Sequence, residues 1–306
     1  MRRVLRAHQY SLSLVAAAAS WGVATVISKR AVDEIEPLTL LPIELAVSVA
    51  VLTVALRVSH SSVGWSPQLR RLGVLGVLNP GLSYALSLAG LARITAGMSV
   101  LLWAIEPLLI LALAFWILKD RLSKALAARA AIALAGVVLV VFQPGSHATP
   151  TGVALTVAGV AACAVYTVLS SKFLADAPAL NVVLVQQGAA FVFALVLFAG
   201  SVILTDPRSL TDVSATAWLS AIGAGVLYYA VAFWFYVTGL SRTAPGIAGM
   251  FINLIPVFGI ASSYLVLDER LTGRQWIGAG LILLAVAAIT KQQSSTPHPK
   301  RGRTMR

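Results

Sequence analysis

The stretch LARITAGMSVLLWAIEPLLILALAFWILKDRL (residues 91–122) recurs later in the same chain as LSRTAPGIAGMFINLIPVFGIASSYLVLDERL (residues 240–271). The two stretches align without a gap at an offset of 149 residues, the difference between 240 and 91. The aligned pairs are Arg93 with Arg242, Gly97 with Gly246, Pro107 with Pro256, Asp120 with Glu269, and Arg121-Leu122 with Arg270-Leu271. Self-similarity at a fixed period indicates a repeated structural unit. The chain is therefore predicted to contain two copies of one fold.

The amino-acid composition is that of a membrane protein. Of the 306 residues, 58% are hydrophobic and 11% are charged, and the mean hydropathy is +0.87. Soluble domains are about 45–50% apolar and about 25% charged. The formal charge of +12 is explained by basic loops on the cytoplasmic side of a membrane and requires no nucleic-acid partner. The single cysteine, Cys163, cannot form an intramolecular disulfide.

Ten apolar runs have about the length that crosses a bilayer as a helix, and charged, polar or proline residues bound each of them. They cover residues 11–28, 38–56, 72–92, 95–118, 125–142, 152–171, 180–204, 215–239, 244–267 and 273–290. The first run follows a basic segment, as in a signal peptide, but it stays apolar through Ile27. That length favours a retained helix over a cleaved signal.

The distribution of Lys and Arg predicts the orientation in the membrane. With the N-terminus in the cytoplasm, 17 of the 23 basic residues lie in cytoplasmic segments and 6 lie in the opposite loops. Basic residues accumulate on the cytoplasmic side of membrane proteins. We therefore expect both termini in the cytoplasm, with an N-terminal segment at residues 1–10 and a disordered basic tail at residues 291–306.

Ten spans and one duplication indicate two five-helix repeats, at residues 11–145 and 150–290. A second alignment supports this division, since Ser28-Lys29 matches Ser171-Lys172 at an offset of 143, the difference between 171 and 28. Because five is an odd number, the second repeat enters the membrane upside down. The predicted fold class is all-α: a polytopic membrane protein with ten transmembrane helices as two inverted five-helix repeats. Many secondary transporters have this plan, with the substrate site where the repeats meet.

Several of these features resemble the EamA repeat of ten-helix bacterial members of the drug/metabolite transporter superfamily, over roughly residues 11–290. They are Trp21-Gly22, the pattern from Ala96 to Pro107 with its acid-Arg-Leu ending, its second copy from Ala244 to Pro256 with DERL, and the glycine-rich GAGLILLAVAAI at 278–289. The resemblance implies a transporter, often an exporter of amino acids, metabolites or toxic amphiphiles. It also implies a cavity among helices one, three, four, six, eight and nine, and the aromatic-amino-acid exporters are the nearest comparison.

Two acidic residues lie well inside the predicted spans, Glu44 in the second and Glu106 in the fourth. A carboxylate at bilayer depth is costly and therefore suggests a function. Glu106 is a candidate proton site or partner for a substrate ammonium group, with a hydrogen-bonded packing role as the alternative. For Glu44 a structural role is favoured. The resemblance implies a peripheral second helix, which often carries a basic residue in this region, and the repeat equivalent Gln187 cannot ionise.

The aligned prolines predict irregular backbone in the middle of the fourth and ninth spans. Pro107 frees the carbonyl of Trp103, and Pro256 frees the carbonyl of Ile252. Non-helical backbone at membrane depth is tolerated where it lines a cavity. We expect hinge or gating roles for both prolines and for the aligned glycines Gly97 and Gly246, with a static packing kink as the alternative.

Aromatic side chains are concentrated in the predicted spans. Deep rings bind other rings by stacking and ammonium groups by cation–π contact, although packing is the alternative for each ring. With one acid and one amide, the candidate substrate-binding residues are Trp21, Tyr84, Trp103, Glu106, Tyr166, Tyr229, Phe233 and Asn253. Trp218 and Tyr236, near span ends, are instead expected to anchor the chain at the membrane interface.

Signatures of other functional classes are missing from the sequence. There is no Gly-x4-Gly-Lys-Ser/Thr phosphate loop, and the four histidines lie outside the predicted spans without metal-ligand spacing. No set of Ser, His and Asp gathers within the spans. The sequence therefore predicts no enzyme, no metal site and no cofactor.

The sequence as a whole predicts an inner-membrane secondary transporter. It would export amino acids, including aromatic ones, and related amphipathic metabolites by alternating access through a central cavity. The expected partners are these small molecules, the lipid bilayer and a proton as candidate coupling ion, without nucleic acid. Two alternatives stay open: a proton-coupled multidrug or cation antiporter, and a membrane scaffold or sensor that transports nothing.

Overall fold

A computed structural model describes residues 2–60, 63–64, 66–118, 124–142, 149–170, 178–204, 210–240 and 251–295. Over these residues the chain is helical, without a strand, and the helices form ten spans. They are span 1, Arg2–Val32; span 2, Pro37–Val58; span 3, Pro67–Gly76, Val77–Leu82 and Ser83–Leu91; span 4, Ala96–Trp103 and Glu106–Leu118; span 5, Lys124–Val141; span 6, Pro150–Ser170; span 7, Ala179–Leu204; span 8, Ala215–Ala224, Gly225–Val231 and Ala232–Leu240; span 9, Ile255–Leu267; and span 10, Gly273–Ser295.

Six of the spans, as far as the structure describes them, have the length and composition needed to cross a membrane as single helices. In the described part of the chain, spans 1, 2, 3, 6, 7 and 8 are each long and apolar enough to do so. Shorter apolar helices, Ala96–Ile110, Ala127–Val141, Ile255–Leu267 and Gly273–Ala288, lie at spans 4, 5, 9 and 10. The prediction of an all-α polytopic membrane protein with ten helices is confirmed.

The packing of the spans has the symmetry of two inverted repeats. Span 2 packs on span 7, span 4 on span 9 and span 5 on span 10, so each helix of these pairs contacts its own repeat equivalent. Span 1 packs on spans 8 and 9, while its equivalent, span 6, packs on spans 3 and 4. Exchanging the two repeats therefore reproduces the same set of contacts, as a pseudo-two-fold axis in the membrane plane requires.

Irregular backbone recurs at equivalent places in both repeats. Spans 3 and 8 each contain a π-helical stretch, Val77–Leu82 and Gly225–Val231. Spans 4 and 9 are each broken by a two-residue turn, at 104–105 and 253–254. Each turn ends just before a helix whose second residue is proline, Pro107 or Pro256. At that position the missing N–H would have had no partner within the helix, so proline is well tolerated.

Glycine allows three of the helix pairs to approach closely. A Cβ on Gly136 would lie 2.7 Å from the Gly278 carbonyl oxygen, and one on Gly278 would lie 2.6 Å from that of Gly136. A Cβ on Gly22 would lie 2.7 Å from the Gly259 nitrogen, and one on Gly259 would lie 2.7 Å from a methyl group of Val100. Small residues are typical of such contacts between membrane helices. The contacts of span 5 with span 10, span 1 with span 9 and span 9 with span 4 all depend on them.

The ends of the helices differ in part from the sequence-based boundaries. Span 1 begins at Arg2, so the N-terminal segment is the start of the first helix. Span 10 continues to Ser295, because the Lys and Gln residues after Thr290 have good helix propensity. The Asp120–Leu122 turn, Gly246 and the tail after Ser295 lie outside the described residues.

Candidate functional site

A cavity lies where the two repeats meet, among spans 1, 3, 4 and 8. About 10 Å³ of space is free among its lining residues, room for about one water molecule. Hydroxyl groups in the lining come from Thr25, Ser28, Ser87 and Ser99. The rings in the lining, called the aromatic wall, come from Tyr84, Trp103, Tyr228 and Tyr229. Ligand pockets usually have about 300–1,000 Å³, so the cavity is nearly closed in this conformation.

Tyr84 is the centre of the aromatic wall. Its ring centroid lies 5.1 Å from Tyr228, 5.1 Å from Tyr229 and 5.6 Å from Trp103. Centroid distances of about 4.5–7 Å are favourable for aromatic pairs. The π-helical stretch of span 8 widens the turn locally. It thereby presents the adjacent residues Tyr228 and Tyr229 to the same neighbour.

A second group of rings continues this wall. Trp21 of span 1 lies 5.3 Å from Phe233 and 5.4 Å from Tyr236, both on span 8. The Trp21 Nε1 atom is buried and has no hydrogen-bond partner among the described residues. The ring of Tyr236, predicted as an interfacial anchor, lies against Trp21 because span 8 packs on span 1. Tyr228 and Tyr236 are thus members of the aromatic group that were not among the candidate substrate-binding residues.

One of the hydroxyl groups in the cavity lining is available to a ligand. The Ser87 Oγ is buried and has no partner among the described residues. The Thr25 hydroxyl, in contrast, donates to the Trp21 carbonyl oxygen at 2.9 Å. The cavity therefore combines apolar ring faces with at least one buried hydroxyl that can bind a polar ligand atom.

Glu106 lies beside this cavity, at the first residue of the second helix of span 4. Its Oε1 accepts hydrogen bonds from the Cys163 thiol at 3.4 Å and the Thr167 hydroxyl at 3.3 Å, both from span 6. The break before Pro107 creates a helix N-terminus at this position, and the helix dipole there is favourable for a negative charge. The two hydrogen bonds and this dipole both help the chain to accommodate the acid.

Two further candidates lie apart from the cavity lining. Tyr166 exchanges hydrogen bonds with Gln186: its hydroxyl donates to Oε1 at 3.1 Å and accepts from Nε2 at 2.9 Å. Asn253 is half-buried in the turn that interrupts span 9. The structure thus groups Trp21, Tyr84, Trp103, Tyr229 and Phe233 together, with Glu106 next to Tyr84, whereas Tyr166 and Asn253 are not among the lining residues.

Glu44 lies close to the cavity, contrary to the expected peripheral position. It is fully buried, and its Oε1 accepts a hydrogen bond from Ser28 Oγ at 2.8 Å. Its Oε2 has no partner among the described residues. The Tyr229 hydroxyl is close enough to interact with the carboxyl group, and Gln187 Nε2 donates to the Tyr229 carbonyl oxygen at 2.7 Å. Polar residues at both equivalent positions, Glu44 and Gln187, were the sequence signal for this site.

One end of the bundle is closed by contacts that join the two repeats. The carboxylate of Glu269, after span 9, accepts hydrogen bonds from the backbone N–H groups of Ala96 and Gly97, at 2.9 and 2.8 Å. It thereby caps the N-terminus of span 4. This end, where span 1 ends and span 4 begins, is called the Glu269 end. Gly97, predicted as a hinge residue, is therefore also a donor in the contact.

Two more contacts join the repeats at the Glu269 end. Glu34 accepts from the backbone N–H and the hydroxyl of Ser214, both at 2.7 Å, at the start of span 8. These hydrogen bonds, first that of the backbone N–H, hold the pKa of Glu34 below its ordinary value. The Arg30 guanidinium donates to the Val266 carbonyl oxygen at 2.9 Å. All three contacts run from one repeat to the other, so this end is closed by polar bonds.

The sequence of each repeat matches a known family. A sequence model of the EamA-like transporter family matches residues 9–142 and again residues 150–291. The chain belongs to this family. EamA-like membership makes it a multi-pass membrane transporter and not an enzyme.

Individual relatives support the EamA-like assignment. The chain is 26% identical over 232 residues to Protein PecM of Dickeya dadantii, and the aligned part covers 74% of each chain. It is 24% identical over 277 residues to an uncharacterized transporter of Archaeoglobus fulgidus, covering 89% of this chain and 95% of that protein. It is 28% identical over 194 residues to an Escherichia coli protein named "Probable amino-acid metabolite efflux pump", covering 61% of this chain and 65% of that protein.

A solved crystal structure has the same fold as this EamA-like chain. The TM-score is 0.67 at 20% sequence identity, and the match covers 94% of this chain and 99% of the other. The likeness extends over both repeats, in agreement with the repeated match of the family model.

Proposed function

We propose that this EamA-like transporter exports amino acids, including aromatic ones, and related amphipathic metabolites across the bacterial inner membrane. The observation that carries the proposal is the cavity between the repeats, whose lining combines the rings around Tyr84 with hydroxyl groups. Ring faces bind apolar and aromatic side chains, and they also attract ammonium groups. The Escherichia coli relative is named "Probable amino-acid metabolite efflux pump", which is in keeping with this substrate class.

The proposed roles of the candidate residues follow from their positions. Trp21, Tyr84, Trp103, Tyr229 and Phe233 hold the apolar part of the substrate. Glu106, stabilised by Cys163 and Thr167, attracts its ammonium group. Tyr166 and Asn253 contact the substrate only after the helices move, since neither lines the cavity in this conformation.

Transport is proposed to proceed by alternating access. The equivalent breaks in spans 4 and 9 provide hinges at Pro107 and Pro256, where the backbone has already left the helical hydrogen-bond pattern. Gly97 and Gly246 are proposed as flexible positions on the same spans. In the orientation that the basic residues favour, both termini are cytoplasmic and the Glu269 end faces away from the cytoplasm. The polar contacts there would then close the outer gate.

Counterflow in proteoliposomes tests the proposal. Purified protein is reconstituted, loaded with unlabelled amino acid, and assayed for uptake of labelled L-phenylalanine, L-leucine, L-threonine and L-lysine. We expect L-phenylalanine to exchange, and Tyr84→Ala to reduce the exchange at least tenfold because four ring contacts are lost. Tyr84→Phe, which retains the ring, is the matched control. If no amino acid exchanges with the wild-type protein, the proposed substrate class is wrong.

A multidrug or cation antiporter is the second candidate, and Glu106 beside the aromatic wall is the observation in its favour. A buried carboxylate next to ring faces also suits a lipophilic cation. Tetraphenylphosphonium counterflow distinguishes the candidates. An antiporter exchanges this cation and not L-phenylalanine, whereas the exporter does the reverse. A scaffold or sensor exchanges neither.

A further inference from the structure

Glu44 is a buried acid whose hydrogen bonding is incomplete. It lies seven residues into span 2, about 10 Å from the start of that helix at 1.5 Å per residue. Its side chain is fully buried, with Oε1 bonded to the Ser28 hydroxyl and Oε2 without a partner among the described residues. An isolated charge in such surroundings is strongly unfavourable, so the neutral acid suits the closed cavity.

The groups that face Glu44 contain no neutralising cation. Span 8 contributes the titratable side chains Tyr228 and Tyr229. Span 1 contributes Ser28, and the neighbouring Lys29 is already engaged with Asp33 at 2.8 Å and with the Leu91 carbonyl oxygen. From the adjoining helices, span 3 contributes Tyr84 behind Tyr229, and span 7 contributes the non-ionisable Gln187. Across the described residues, no Lys or Arg pairs with Glu44.

Two of these neighbours connect Glu44 to the cavity. Ser28 and Tyr229 both line the cavity, and both also contact the acid. A proton on Glu44 is therefore separated from the substrate space by one layer of side chains. The Ser28 hydroxyl can donate to the carboxylate on one side and accept from water on the other.

We propose that Glu44 is the proton-binding site that couples a proton to substrate movement through this cavity, an inference that rests on the proposed transport function. When the cavity is closed, Glu44 is a neutral carboxylic acid. When the cavity opens and water reaches Ser28, the acid transfers its proton to that water and remains as a carboxylate bonded to the Ser28 hydroxyl. Substrate and proton then compete, because the ammonium group of a substrate in the cavity stabilises the carboxylate and not the neutral acid.

Full-length protein in proteoliposomes tests this inference with labelled L-phenylalanine. Wild type, Glu44→Gln and Ser48→Ala are compared in two assays: counterflow without a pH gradient, and transport driven by an imposed pH gradient. Glu44→Gln is expected to keep counterflow and to lose at least tenfold in gradient-driven transport. Ser48→Ala is the matched control, since Ser48 is fully buried one turn along the same helix and bonds Gln187 instead of Glu44.

Proton release gives an independent measurement. Adding L-phenylalanine to the unbuffered wild-type protein in detergent is expected to release about one proton per molecule, detected with a pH-sensitive dye. Glu44→Gln should release none, whereas the control Ser48→Ala should still release a proton. Proton release by Glu44→Gln equal to that of the wild type would overturn the assignment.

Ser28→Ala keeps the test decisive if Glu44→Gln fails to fold. Removing the hydroxyl takes a hydrogen bond from the carboxylate and favours the neutral acid. The pH at which transport is half-maximal should therefore shift upward by about one to two units. An unshifted pH profile contradicts the inference. If the wild type moves L-phenylalanine but Glu44→Gln responds normally to the gradient, the inference alone fails. If the wild type moves no amino acid, both proposals fail.

Discussion

Replacing Glu269 by alanine should open the end of the bundle that this residue closes. Its carboxylate accepts two hydrogen bonds from the N-terminus of span 4, at 2.9 and 2.8 Å. A hydrogen bond to a charged group contributes about 1.5–3 kcal/mol, and a carboxylate at a helix N-terminus adds about 0.3–1 kcal/mol. Glu269 is only half-buried, and solvent screening weakens such a contact. We therefore expect a loss of about 2–3 kcal/mol for the whole contact.

This loss corresponds to an increase of about 30- to 160-fold in the ratio of open to closed conformers at the Glu269 end, since every 1.4 kcal/mol is tenfold. Glu269→Gln keeps a neutral acceptor, worth about 0.5–1.5 kcal/mol per bond, and should give an increase of about tenfold. Thr95 still caps the helix in both variants, because its hydroxyl accepts from the Met98 N–H at 3.1 Å. The effect is therefore on the contact between the repeats and not on the start of span 4.

Cysteine labelling measures this ratio. A Ser99→Cys reporter in the cavity lining, with Cys163→Ser to remove the native thiol, is labelled by a membrane-impermeant methanethiosulfonate reagent. While the closed conformer dominates, the labelling rate is proportional to the open fraction. Comparing right-side-out with inside-out vesicles also tests which side the Glu269 end faces.

Asp268→Asn is the matched control for the labelling experiment. Asp268 is the adjacent acid, and it is exposed and contacts only Arg270 at 3.3 Å among the described residues. Its replacement should leave the labelling rate unchanged. Equal rates for wild type and Glu269→Ala from both sides of the membrane would refute the role of Glu269 in closure.

Three further perturbations have defined outcomes. Ser214 lowers the pKa of Glu34, so this contact stabilises the fold above the ordinary carboxyl pKa and is lost as pH falls through the lowered value. Glu34→Gln should therefore flatten the acid side of a profile of melting temperature against pH in detergent. An unchanged profile contradicts this expectation. Gly278→Val should lower the free energy of unfolding by about 1–3 kcal/mol through overpacking, which a reduced melting temperature would show. Gly280→Val is the control, because a Cβ at that position meets nothing within 4 Å. Trp103→Ala should raise the KM for L-phenylalanine about two- to twelvefold, the equivalent of one aromatic contact, with Trp103→Phe near wild type; equal values for the two variants would argue against ring stacking.

The repeat and the prolines made most of the fold predictable from sequence. Hydropathy located the ten spans, with most of their described ends within several residues, since lipid imposes one length and one composition on each helix. Span 1 is the exception, because it begins at Arg2 and not at residue 11. The ungapped alignment then gave the inversion, because a five-helix unit must reverse its orientation when duplicated. Pro107 and Pro256 predicted broken helices at positions where the structure has turns. All of these inferences rest on the composition of single spans or on the alignment of one span with another.

The candidate site was less predictable because it depends on packing between distant spans. A regular helical period puts Tyr229, Phe233 and Tyr236 on one face, but the π-helical stretch of span 8 also brings Tyr228 to the cavity. Glu44 was expected at the periphery, and its burial follows from the contact of span 2 with span 8. The sequence identified Glu269 only as part of the DERL motif in a loop. Its bond to span 4 joins residues 172 and 173 positions apart in the chain.

The near-symmetric packing of the two halves has a consequence for how they diverged. An assembly of two identical five-helix chains in opposite orientations would carry every polar core residue twice. In this chain the fused halves differ, with Glu44 opposite Gln187 and Glu106 opposite Ile255. Duplication followed by divergence thus permits a solitary acid in a core whose shape is still shared. The two acids therefore place ionisable chemistry in one half of an otherwise balanced architecture.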